Sequence, residues 1–172
     1  MENYSDYPMS APTLESLGYY ISVGTILWSD VKECLSSTPK ENSHILLYSN
    51  NVKCGELIIG TAIDNDLAKG QFITPRTTIN KSCILFPRTI QPDKLRYAFI
   101  QENDRYHFEN HLLVITHESF QHLKLLYEYL STDAGKKSFA LFANSSQLSA
   151  TELRSLPILG FPIPEFRHTI LT

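Results

Sequence analysis

At 172 residues the chain is long enough to bury one sizeable core. Its 42% hydrophobic and 19% charged residues exclude a disordered polymer. A formal net charge of -3 argues against an indiscriminate nucleic-acid binder, which is usually basic, so any DNA contact must come from a local concentration of positive charge. No apolar run approaches the roughly 20 residues that cross a bilayer, and the start M-E-N-Y-S-D-Y-P-M-S has neither the basic opening nor the apolar stretch of a signal peptide. The expected location is cytoplasmic. Cys34, Cys54 and Cys83 are odd in number and form no C-x-x-C pair, and read as reduced, semi-buried thiols.

Residues 1–12 are polar, carry two prolines and lack periodicity, which predicts a flexible leader, with the fold beginning at Thr13. Tyr19 to Val23 alternate as a strand does, Gly24 permits a turn or bulge, and Trp28 to Leu35 fit a short helix. Ile45 to Tyr48 and Leu57 to Ile59 read as strands, followed by the polar, turn-rich loop T-A-I-D-N-D-L-A-K-G. Phe72 to Thr74 and Cys83 to Phe86 are two further strands. Q-E-N-D-R, between Ile100 and Tyr106, predicts a hairpin turn.

Leu112 to Ile115 form a continuous apolar run, too short for a helix and rich enough in branched residues for a buried strand. After Ser119 the residues Phe120, Leu123, Leu126, Tyr127 and Leu130 recur at spacings of three and four, one face of an amphipathic helix. A second helix follows Gly135. Ser149 with Glu152 fits a capping box at a third helix start, and Pro157 stops it. The predicted class is α+β: a single domain over residues 13–166, with a mixed, mostly antiparallel sheet region, then a helical region and a tail at 167–172.

Several segments, in order, carry a family resemblance. V-G-T-I-L-W with Lys32 and Leu35 is similar to a V-x-T-G-x-x-V-W-x-x-x-K-x-x-L opening, with Gly24 before Thr25 in reversed order. Leu46, Leu47, Tyr48, Val52 and Gly55 match P-L-I-Y-x-x-x-V-x-x-G, with His44 near the place of the proline. Arg88, Thr89, Pro92 and Arg96 match L-L-x-R-T-x-x-P-x-x-x-R-R. F-E-N-H-L-L-V-I, Y-L-S-T, F-A-L-F-A-N-S-S-Q-L-S-A-T-E-L and L-P-I complete the set. Together, from Leu17 to Ile158, they resemble the C-terminal target recognition domain of adenine-specific DNA methyltransferases of type II restriction–modification systems, in the TaqI-like specificity group. The resemblance implies two partners: double-stranded DNA and an adenine-specific methyltransferase catalytic domain or subunit.

The chemistry of that enzyme is missing from the chain. Gripping a flipped adenine takes a polar residue followed by P-P and an aromatic, and the cofactor needs a glycine-rich turn. The sequence has no P-P and no G-x-G, so no catalytic residue and no cofactor is expected here. Asp93 and Lys94 lack the second carboxylate motif of a metal-dependent nuclease. His107, His111, His117 and His122 form no H-E-x-x-H, and their expected strand and helix positions point them in different directions, as structural or solvent-facing side chains rather than metal ligands. Glu109 to His111 suit a scaffold junction.

The DNA-contact candidates are Arg76, Thr78, Lys81, Arg88, Thr89, Lys94, Arg96 and Arg105, interleaved with Thr77, Asn80, Gln91, Tyr97 and Gln101. Guanidinium forks suit phosphate or guanine, amides suit adenine, and hydroxyls suit backbone oxygens. Lys136 and Lys137 are expected near a helix start. The rival expectation, drawn from the net negative charge, is an interaction protein that keeps the fold and docks on a methyltransferase without binding DNA.

Overall fold

The computed structural model describes residues 11–59, 70–76, 81–89, 95–102, 105–140 and 147–163. The fold is α+β, with two mostly antiparallel sheets and helices concentrated in the C-terminal half. Four strands, β1 (Tyr20–Val23), β4 (Cys83–Pro87), β5 (Ala98–Ile100) and β7 (Leu112–Thr116), make one sheet in the order β1-β7-β4-β5. Three more, β2 (His44–Leu47), β3 (Phe72–Ile73) and β6 (Tyr106–Phe108), make the other in the order β3-β2-β6. Every described pairing within them is antiparallel except β2 with β6.

The period of two along each strand sorts the side chains into layers. Ile84, Phe86, Leu113 and Ile115 point to one face of the larger sheet and pack under the helices, with Leu123, Leu126, Tyr129, Leu130, Phe139 and Leu153. Cys83, Leu85, Leu112 and Val114 point the other way, onto Leu47 and Phe108 of the smaller sheet. Leu46 and Ile73, on the far face of that smaller sheet, meet Ile26 and Val31. Leu112 to Ile115 therefore lack alternation because both faces of their strand are covered, which is the physical origin of the continuous apolar run.

Two of the helices start at a serine cap. In α2 (Phe120–Ser131) the Ser119 hydroxyl accepts from the His122 N–H, and Leu123, Leu126, Tyr129 and Leu130 form the buried face. Phe120, expected on that face, remains 39% exposed, while Tyr129 takes the inward place. The Tyr129 hydroxyl lies 2.9 Å from Ser138 Oγ and donates to the Leu159 carbonyl, closing a buried polar hub. The helix α3 spans Asp133–Ala140. Gly135 is therefore inside it, where an added Cβ would run into the Tyr129 carbonyl, and Lys136 and Lys137 sit along its exposed side. In α4 (Ala150–Arg154) the capping box forms as expected: Ser149 Oγ accepts from the Glu152 N–H, and the Glu152 carboxylate accepts from the Ser149 N–H. Arg154 donates to the Ile21 carbonyl on the outer edge of β1, covering an otherwise open strand.

Four further expectations change. Trp28 to Leu35 split into α1 (Trp28–Val31) and a 3-10 helix, Lys32–Cys34. Leu57 to Ile59 form no strand: a single bridge joins Val52 to Leu57, and Asn51 binds Ile58 through its own carbonyl and side-chain amide, satisfying the groups a ladder would have used. The hairpin between Ile100 and Tyr106 does not form, because β5 pairs with β4 in one sheet and β6 with β2 in the other. Of the cysteines, Cys83 is buried, but Cys34 and Cys54 are exposed. Gly24 serves for close approach, since a Cβ there would strike the Phe108 and Glu109 carbonyls. At the N-terminal end the fold engages from Pro12, whose carbonyl accepts from the Ile158 N–H, while residues 1–10, the 61–69 part of the polar loop and the 167–172 tail lie outside the described residues.

Candidate nucleic-acid interface

Strand register decides which expected contact residues can act together. Strand β2 starts at His44, and its central place in the smaller sheet gives that start two neighbours. On one side the antiparallel β3 pairs Ile73 with His44, so the chain leaves β3 beside His44 and reaches Arg76 three residues later. On the other side the parallel β6 pairs Tyr106 with Ile45, whose N–H donates to the Arg105 carbonyl at 2.8 Å. Arg76 and Arg105 thus come to the same end of the sheet. Lys81 precedes β4 and is five residues from Arg76, within about 18 Å even for a stretched chain. All three side chains are exposed.

Two histidines lie among these cations. His44 Nδ1 is 2.9 Å from His107 Nε2, and the rings stack with centroids 5.1 Å apart. His107 is 6% exposed. Burial first, then His44 and the Arg76 charge, push its pKa down to about 4, so the ring stays neutral at neutral pH. The pair joins residues 63 apart, and no spacing in the sequence signals it.

Arg88, Thr89 and Arg96 lie at the opposite end of the larger sheet. About seven residue steps of extended chain, roughly 23 Å, separate Lys81 from Arg88. Here the guanidinium groups serve the framework: Arg88 Nε donates to the Leu148 carbonyl, and Arg96 donates to the Ser49 and Thr89 carbonyls. Burial lowers the Arg96 pKa, and its Nε is buried without a hydrogen-bond partner. Thr89 is exposed. Tyr97, expected among the DNA-facing residues, is 7% exposed and stacks on Phe86 at 6.1 Å. Gln101 is exposed at the Lys81 end. Thr78 and Lys94, with Thr77, Asn80, Gln91 and Asp93, lie outside the described residues.

The same end as Arg88 carries a buried carboxylate. Glu109, 3% exposed, accepts from the His111 N–H at 3.0 Å and from His111 Nδ1 at 2.7 Å, while the imidazole reaches solvent. The pair holds the turn from β6 to β7, as expected of a scaffold junction. The four histidines do not all diverge, however: His117 and His122 face each other, with Nε2 and Nδ1 3.1 Å apart. Among the described residues no group of three or more His, Cys, Asp or Glu is arranged to hold a metal ion, and no helix is long and apolar enough to cross a membrane. No family model, curated protein or solved structure matches the chain.

Proposed function

We propose that this chain is a DNA-sequence recognition module of a type II restriction–modification adenine-specific methyltransferase, steering a separate catalytic domain or subunit and transferring no methyl group itself. The supporting observation is the convergence of exposed Arg76, Lys81 and Arg105 at one end of the two sheets, while Arg88 and Arg96 bind backbone carbonyls at the other. Exposed cations supply phosphate contacts that position a protein on a duplex. The order of recognition-domain segments from Leu17 to Ile158, without P-P or G-x-G, supports the division of labour between this chain and a catalytic partner. A cytoplasmic location accompanies that role.

The test is duplex binding by the full chain, alone and with an adenine-specific methyltransferase catalytic subunit, across a salt series. Binding should weaken with salt, and the triple variant R76A/K81A/R105A should lower the slope of log K against log salt by about 0.9 for each phosphate that is no longer neutralised. No binding in any combination, or a triple variant that binds like the parent, overturns the proposal.

The net charge of -3 and the half-exposed Phe120 favour a second reading, an interaction module that docks on a methyltransferase without touching DNA. It predicts that the triple variant changes nothing, whereas substitutions on the outer side of α2 break a protein complex.

A further inference from the structure

Where β7 hands over to α2, hydrogen-bond geometry assigns the protons of two imidazoles. The Ser119 N–H donates to His117 Nδ1 at 2.8 Å, so that nitrogen is an acceptor and carries no proton. His117 Nε2 lies 3.2 Å from the Leu17 carbonyl, which can only accept, so Nε2 carries the hydrogen. His122 Nδ1, 3.1 Å from the same Nε2, meets an N–H and acts as an acceptor too. Both rings are neutral in this arrangement. A further proton on His117 goes to Nδ1 and points at the Ser119 N–H. One on His122 goes to Nδ1 and points at the His117 N–H.

These bonds join two distant parts of the chain. Leu17 and Gly18 end the turn that starts at Thr13, and that turn is tied to the C-terminal segment by the bridge from Thr13 to Pro157. Gly18 has φ +81°, and a Cβ there would lie 3.2 Å from His117 Nε2, so the turn rests directly on the ring. Tyr19 adds a second tie: its ring sits 4.9 Å from that of His117, and its hydroxyl donates to the His122 carbonyl. Beside His117 a cavity of about 210 Å³ is lined by Lys81, Ser82, Glu118, Phe120 and Leu123.

From this geometry we propose that His117 and His122 are a proton-operated latch holding the Thr13–Gly18 turn to the start of α2, closed while both rings are neutral and opened by one added proton. The charged residues beside His117 are Lys81 and Glu118, which line the cavity, and Tyr19 stays uncharged because burial raises its pKa. Burial, and then His117, lower the His122 pKa. Opening frees the Leu17 carbonyl and the Ser119 N–H and loosens the first turn of α2 next to Lys81. The latch stands independently of the DNA reading.

Amide hydrogen exchange of the full chain, corrected for the intrinsic pH dependence, tests it. Between about pH 7.5 and pH 5 the protection of Ser119 and Tyr19 should fall at least tenfold relative to Leu113 in the central strand. In His117→Asn, whose side-chain oxygen can accept from Ser119 but cannot titrate, that relative fall should disappear. A Ser119 amide that tracks Leu113, or a fall that survives in His117→Asn, overturns the latch. Should the variant fail to fold, the imidazole nitrogen spectrum of the parent decides. At pH 7.5 it must show His117 protonated on Nε2 alone, and a proton on Nδ1 overturns the proposal.

Discussion

The two ends of the strand framework carry similar residues at different exposure. At the end holding Arg88, Arg96, Glu109 and His111, guanidinium, carboxylate and imidazole groups bind the backbone or each other. At the end holding Arg76, Lys81 and Arg105 the side chains are exposed beside a buried, neutral histidine. Residue type alone does not separate an arginine that holds strands together from one whose side chain is exposed. Register brings backbone carbonyls within reach of the first kind: Arg96 meets those of Ser49 and Thr89, and Arg88 meets that of Leu148.

This contrast breaks most easily at Gly24, which lets β1 approach the β6–β7 turn carrying Glu109. Gly24→Ala should destabilise the protein by about 3 kcal/mol through overpacking against backbone that cannot yield, read as a shift in the urea midpoint. A loss below about 0.5 kcal/mol would show that the close approach is not required.

Acid should act through the opposite end. The folded-state pKa of His107, about 4, lies below the unfolded value of about 6.5. Its contribution is therefore fully present above pH 6.5 and lost as pH falls from there towards 4, up to about 3 kcal/mol. Urea titrations at pH 7.5 and 4.5 should show the loss, and His107→Phe should remove much of it. An unchanged pH dependence in that variant assigns the acid sensitivity elsewhere.

A smaller effect separates framework from rim. Arg96→Ala should cost about 1–2 kcal/mol of stability by removing the guanidinium donor from the Ser49 and Thr89 carbonyls. His111→Ala should cost a similar amount, because the buried Glu109 carboxylate is deprived of its imidazole partner. Arg76→Ala and Lys81→Ala should stay within about 0.5 kcal/mol of the parent, as exposed substitutions do, and register only in duplex binding. Equal stability losses at Arg96 and Arg76 would erase the distinction between the two ends.

The legible features of the chain are those written within a few residues. Leu112 to Ile115, the α2 spacing and the Ser149–Glu152 box depend on one strand, one helix face and one turn, and each forms where its pattern lies. The misread features cross longer distances. Ile100 and Tyr106 are close in sequence, yet their strands enter different sheets, so a tight-turn signal between apolar segments had no bearing on which strands pair. Tyr97 fits the residue types of a DNA-facing set, but alternation leading into β5 sends it beneath the helices.

The amino-acid order by itself determined the class of fold, the helix starts at Ser119 and Ser149 and the absence of methyl-transfer motifs, because propensity, capping and motif spacing act locally. Tertiary structure decided which cations share a rim, which are bound internally, and that His44 meets His107 and Leu17 meets His117. Those pairings depend on strand register and on the antiparallel or parallel sense of each ladder, which arise only when two faces are buried at once.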